Sequence, residues 1–333
     1  MEHDVLRTAP FDVITIADAC VDLIVDLGET VPQFGQVEQW VRDYFLEMGG
    51  STCIFACQAA KLGLRVGILG RVGDDAYGRL IVQRLQESGV DTRHMRVDPG
   101  LKTGLGLALC RSNGDRAILT YGGSLHAVYP EDITDEFLRS GRHLHYGSYY
   151  LQTHLLSEAP AILRRAKELG LTVSLDTNWD PNERWDGGLE AALQHVDLFF
   201  PNEQEALVIT KASSVHEALN VLLERVATVA IKRGAQGALV GRRGEHLVMP
   251  VEPAPQIVDT IGAGDSFDAG FLAGWLRGLP LRECARLANA CGRATIQARG
   301  GLLGQPTLAN FPELVRSAGA KRETPLPLTG RSV

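Results

Sequence analysis

The stretch VDTIGAGDSFDAGFLAGW, Val258 to Trp275, sets Gly262, Ala263, Gly264 and Asp265 at the head of an apolar run. Phe267, Phe271 and Trp275 recur every four residues, with Leu272 and Leu276 on the adjoining row, the spacing of a largely buried helix. A helix N-terminus presents unpaired N–H groups and a partial positive charge. Residues without bulky side chains let an anion approach those groups closely. The stretch therefore has the physics of an anion hole suited to phosphate. Asp265 lies at its rim, where the helix dipole is expected to keep the carboxylate ionised, ready to take a proton from a hydroxyl attacking a phosphoryl donor. A glycine turn with an acid that merely complements the dipole would show the same residues. No G-K-[ST] follows, so this is not a Walker A loop, and the spacing is not G-x-G-x-x-G.

Outward from this helix the chain alternates apolar-periodic helices, glycine stops and β-branched runs. Ser51–Leu62 reads as a helix with Ser51 as N-cap and Gly63 as its stop, followed by the strand RVGILG. Ala159–Leu169 reads as another, stopped by Gly170 and followed by LTVSLD. VDLFF, VATVAIK and GALVG are short apolar runs suited to buried strands. Such alternation predicts an α/β fold, a mostly parallel sheet covered on both faces, with ligands at the carboxyl ends of its strands. Segments 22–47 and 103–128 carry few helix signals and are expected to form a small separate β-sheet. In the second, TGLGLALCRSNGDRAILTYGG reads as a hairpin turning at Asn113-Gly114.

The 333 residues are 45% hydrophobic and 22% charged, an ordinary globular balance. The net charge of −7 excludes a global basic field for nucleic acid or anionic lipid. Six cysteines at 20, 53, 57, 110, 284 and 291 form no C-x-x-C pair and read as buried reduced thiols. The opening MEHDVLRTAP lacks a leader pattern, and no apolar run approaches the ~20 residues of a membrane span. A cytoplasmic protein is expected, one domain over about 10–318, with 319–333 as a loose tail.

DTIGAGDSFDAGF resembles the C-terminal signature of the ribokinase-like (PfkB) carbohydrate kinases, D-T-x-G-A-G-D. GGSTCIFACQAAKLGLRVGILGRVGDDAYG, Gly49 to Gly78, resembles their N-terminal signature. The resemblance spans roughly residues 10–315. It implies a three-layer α/β/α sandwich with a β lid, and transfer of the ATP γ-phosphoryl group to a sugar hydroxyl. It implies Asp265 as general base and Gly262, Ala263 and Gly264 as the anion hole. Asp259 and the Ile261 carbonyl would hold a monovalent cation, K⁺, with Arg299 to Gly301 completing that loop. Asp268 stands where the family often has Asn.

Asp22, in ITIADACVDLIVDL, falls at the family's sugar-binding carboxylate, which can accept bonds from two vicinal hydroxyls. Asp18 and Asp26 compete for that role, and Ala17 replaces a usual glycine. Gly49 and Gly50 would lie against the sugar, where Cβ groups would obstruct a ring. Ile54 stands in place of the usual Asn, which removes one clue to the substrate. In FFPNEQEAL, Asn202 and Glu205 have capping-box spacing. The resemblance gives the pair a second task, ordering Mg²⁺-bound water. Lys232, Gly234 and Gly237 match a turn beside the nucleotide, and Asn289 a position lining the adenine pocket. Asp176 could lie near the phosphates or cap a loop. His143 and His145 share one strand face and read as structural histidines, since no third ligand has usable spacing. Arg116 is either a substrate contact or a surface charge.

The reading is an ATP- and Mg²⁺-dependent sugar kinase, with a homodimer through the lid as the family's common arrangement. A nucleoside kinase, with Phe34 or Trp40 forming a slot for a base, and a non-catalytic sugar sensor are the alternatives. No run of arginines in the sequence points to a phosphorylated substrate.

Overall fold

A computed structural model of the protein describes residues 9–113 and 115–312. Strands β1 (Val13–Ile16), β4 (Val66–Gly73), β5 (Asp91–Asp98), β8 (His143–Tyr146), β9 (Thr172–Leu175), β10 (Leu198–Phe199), β11 (Thr228–Lys232), β12 (Ala238–Arg242) and β13 (Glu245–Met249) make one sheet. Its order is β13-β12-β11-β10-β9-β8-β1-β4-β5. Neighbours from β11 through β5 pair in parallel, and β12 and β13 add an antiparallel edge. The central strands are buried because both faces are covered; β1 and β10 are nearly all apolar, while β8 and β9 bury His143, His145 and Ser174. Val13 packs into one core, Ile14 and Ile16 into the other.

Helices α1 (Ser51–Lys61), α2 (Ala76–Glu87), α8 (Ala263–Leu276) and α9 (Leu281–Thr295) lie with the first core. On the opposite face are α3 (Asp135–Arg139), α4 (Ala159–Glu168), α5 (Leu189–Leu193), α6 (Glu203–Thr210) and α7 (Val215–Leu223). Gly63 and Gly170 end their helices with φ of 81° and 90°, the left-handed stop that glycine adopts without strain.

The two irregular segments form the separate sheet, ordered β3-β2-β6-β7: β2 (Cys20–Gly28), β3 (Asp43–Gly49), β6 (Gly104–Arg111) and β7 (Arg116–Tyr121). The strands of the hairpin pair from Leu105↔Tyr121 to Cys110↔Arg116. Gly114 at its tip and the 319–333 tail lie outside the described residues. His143 and His145 are structural: both are buried, and both bond to Ser174. His145 also stacks on Phe55, with ring centroids 3.7 Å apart.

Candidate active site

The site is built where parallel strands end and helices begin. Past β1, Asp18 accepts hydrogen bonds from the amides of Ser51 (2.9 Å) and Thr52 (3.0 Å) and from the hydroxyls of Thr52 and Ser148. A remote carboxylate thus caps α1. The expectation of Ser51 as N-cap is corrected: the N-cap residue is Gly50, with φ 84° and no side-chain bond of its own. Relieved of capping, the Ser51 hydroxyl accepts from Asn178 at 2.8 Å and favours the ionised form of Asp265. Asn178 also donates to Ser148 (2.9 Å), which links Ser51 through Asn178 and Ser148 back to Asp18. Asn178 and Ser148 hold φ of 52° and 54°, left-handed values uncommon for residues other than glycine.

Gly49 and Gly50 are required by the protein's own atoms. A Cβ on Gly49 would stand 2.5 Å from the Asp22 carboxylate, and one on Gly50 would stand 2.4 Å from the Asp18 carbonyl oxygen. Asp18 and Asp26 are both engaged, the latter by Arg42 and the Gly28 amide. Among the described residues no donor bonds to Asp22. Burial, then the neighbouring charges of Asp18 and Asp259, raise its carboxyl to about 6. Of the three competing acids, Asp22 alone is free to receive hydroxyls.

Gly262 opens α8 with φ 74°, and a Cβ there would meet the Gly301 Cα at 2.6 Å. Ile54 packs against both glycines and is 2% exposed. It therefore lies beneath the glycine turn, away from the cleft wall. Asp265 sits in the first turn of α8, partly exposed. Desolvation, with the charges of Asp176 and Asp18, pushes its carboxyl well above the usual range; Lys232 and the Ser51 hydroxyl oppose that only in part.

Behind Gly264 is a buried charged cluster. Lys232 Nζ lies 2.5 Å from Asp176 and 3.3 Å from Asp268, and a Cβ on Gly264 would be 3.5 Å from it. Burial disfavours the Lys232 ammonium, but Asp176, Asp268 and Glu205 hold it firmly protonated. Burial also works against the Asp176 carboxylate, yet Lys232 and a hydrogen bond from Asp268 keep its proton affinity low. Burial and the adjacent Asp176 push the Asp268 carboxyl well above the usual carboxylate range, opposed by Lys232.

At the end of β10 the capping box is formed. Glu205 accepts from the Asn202 amide (2.8 Å) and side chain (2.6 Å), and Asn202 accepts from the Glu205 amide (2.9 Å). Burial and the nearby Asp176 lift Glu205 to about 7. Among the described residues no three His, Cys, Asp or Glu side chains gather as a metal cage. The acids here suit a cation held mainly by water and phosphate, through an outer shell. Asp259 accepts from the amides of Ile261 and Gly300, both at 3.0 Å, which ties the loops at 259–261 and 299–301 together.

Gly237 (φ 81°) would place a Cβ 2.1 Å from the Met249 carbonyl oxygen, whereas Gly234 (φ 53°) turns in open space. Asn289, 7% exposed, donates to the carbonyl of Met249 (2.9 Å) and so pins the end of β13. Phe34 and Trp40, 102% and 93% exposed, stand in solvent and form no slot. The sequence reading missed the roles of Ser51, Asn178, Ser148 and Asp18; an acid just after a strand and a serine after Gly-Gly were the only signals.

Residues 12–308 match the family model described as pfkB family carbohydrate kinase. The chain belongs to this family. The kinase is 34% identical over 271 residues to the ATP-dependent ribose-1-phosphate kinase of Halopiger xanaduensis, across 81% of this chain and 87% of that protein. It is 28% identical over 335 residues to the 5-dehydro-2-deoxygluconokinase of Geobacillus thermodenitrificans, across 94% and 95% of the two chains. The solved Arabidopsis thaliana ribokinase, complexed with ribose and ATP, superposes with a TM-score of 0.79 at 25% identity, covering 92% of this kinase and 99% of that chain. The protein is thus an ATP-dependent sugar kinase with a ribokinase-like sandwich and lid. Among the described residues no helix is long and apolar enough to cross a membrane.

Proposed function

We propose that this kinase places the acceptor hydroxyl of a small carbohydrate beside Asp265, which takes its proton as the hydroxyl attacks the γ-phosphorus of ATP. One observation carries the reading. Asp265 follows the left-handed Gly262 turn at the head of α8, and the Ser51 hydroxyl, next to Gly49 and Gly50, favours its ionised form. Base, anion turn and sugar-side glycines therefore converge on one cleft. A carboxyl lifted above its usual range has a proton affinity closer to that of a general base working near neutrality.

The amides of Gly262, Ala263 and Gly264 would stabilise charge on the transferring group. Asp22 would accept bonds from the sugar over Gly49. Asn202 and Glu205 would order water on Mg²⁺, which would offset the negative charge of the phosphates. Lys232, Gly234, Gly237 and Asn289 would bound the nucleotide side. Asp259 and the Ile261 carbonyl are oxygen donors suited to K⁺. Strand β7 exposes Ile118, Leu119 and Tyr121, and a homodimer through the lid would cover them; sedimentation at several concentrations tests that.

Asp265→Asn is the decisive variant. It should keep ATP binding by calorimetry and lose about 10²–10⁴ in turnover. Near-normal ADP release would reject Asp265 as the base.

A further inference from the structure

Between the outer end of the lid and the loop 258–261 lies a cavity of about 310 Å³. Four arginines from three distant parts of the chain line it: Arg42, Arg111, Arg116 and Arg299. Three acids line it as well, and each is already engaged. Asp26 pairs with Arg42 (3.4 Å), Asp43 with Arg299 (2.5 Å), and Asp259 accepts the two backbone amides described above. Arg111 and Arg116 have no acidic partner among the described residues. In a chain of net charge −7, two unpaired guanidinium groups at one cavity are a local excess of the opposite sign.

The cavity continues the cleft. On β2, Asp22, Ile24 and Asp26 share one face, because side chains two apart on a strand point the same way. Their cross-strand partners on β6 are Gly106, Ala108 and Cys110, and Arg116 pairs with Cys110. Ile24, Asp26, Ala108 and Cys110 line the cavity. Each step of two residues advances about 7 Å. The cavity therefore begins at Ile24, about 7 Å beyond Asp22, and Arg116, level with Asp26, stands on the strand about 14 Å along the lid.

Resting on the reading of Asp22 and Asp265 as the sugar and base positions, we propose that the acceptor carries an anionic group, phosphate or carboxylate, at the end remote from its reacting hydroxyl. Arg111 and Arg116 bind that group, their planar forks matching its oxygens. They are specificity-determining residues and take no part in proton transfer.

The test compares three acceptor sets of matched size in an ADP-release assay: neutral sugars, sugar phosphates and sugar acids. An anionic acceptor should exceed its neutral counterpart by about 10- to 100-fold in kcat/KM, the worth of a charge-assisted contact. The better anionic set identifies the group. In Arg111→Gln/Arg116→Gln that preference should collapse through KM, and Arg116→Lys should restore part of it. Thermal melting of each variant checks the fold. A best acceptor that is neutral, or a preference the double variant leaves intact, overturns the proposal. Calorimetric binding of the same three sets to Asp265→Asn separates the two readings. Tight anionic-sugar binding lost on mutating the arginines upholds the subsite whatever the base proves to be. Equal binding of neutral and anionic sugars sinks it even if Asp265 is confirmed.

Discussion

The Nζ of Lys232 lies 2.5 Å from the Asp176 carboxylate, in the layer directly behind Gly264. Asp268 completes this buried group, 3.3 Å from the same Nζ, with its carboxyl pushed up by burial and by Asp176. Removing one partner of a buried ion pair leaves the other charge uncompensated, at about 3–5 kcal/mol. Asp176→Ala should therefore lower the melting temperature strongly. Asp268→Asn keeps a hydrogen-bonding group of the same shape and leaves Lys232 its nearer partner, Asp176. It should melt within a few degrees of wild type, a change of roughly 1 kcal/mol or less, and should restore what the family often carries there. Paired denaturation curves check both.

Gly49→Ala should act on the substrate alone. Its Cβ would stand 2.5 Å from the Asp22 carboxylate, so Asp22 must move. A displacement near 1 Å is enough to cost about 10²-fold in a positioned site. Acceptor kcat/KM should fall by about that factor while ATP affinity, followed by calorimetry, holds.

Glu205 supplies a pH dependence of stability. Its proton affinity is raised in the fold, to about 7 from 4.5. The fold therefore favours its protonated form. That contribution is fully present below about pH 4.5 and is lost as pH rises through about 7. Glu205→Gln keeps a capping-box residue and removes the titration. Between about pH 5 and pH 8 the ligand-free wild type should lose roughly 1–3 kcal/mol relative to this variant. Melting temperatures of the two proteins across that range, with equal slopes as the contrary outcome, decide the matter.

The rate should titrate in the opposite sense. A general base must be ionised, so kcat/KM rises with pH on its acid limb. With Asp265 pushed up by burial and by Asp176, that limb should lie above the ordinary carboxylate range. The Ser51 hydroxyl favours the ionised form, so Ser51→Ala should move the limb to still higher pH and lower the rate near neutrality. An unmoved limb would show that Ser51 serves only structure.

Most of the architecture was legible because it follows local rules. The helix at 263–276 was visible from its apolar spacing, the capping box from Asn202 and Glu205, and the lid from the hairpin signals around residue 113. What was hidden depends on distance in sequence. Asp18 caps a helix 33 residues away, which freed Ser51 for Asp265, and no local pattern encodes that exchange. The raised proton affinity of Asp265 was hidden as well, because the dipole is a local property and the desolvation is not. The arginines of the outer cavity, at 42, 111, 116 and 299, form no cluster until the lid folds over the loop at 258–261.

Helices α1 and α8 both begin in this cleft, with Ile54 of one wedged against Gly262 of the other. Two like poles are thus set side by side; Asp18 answers that of α1, and an anion settling between them would add to that compensation. Plain inorganic phosphate or sulfate should accordingly raise the melting temperature by mass action, with no sugar present. The choice of storage buffer for this enzyme then becomes a matter of electrostatics as much as of pH.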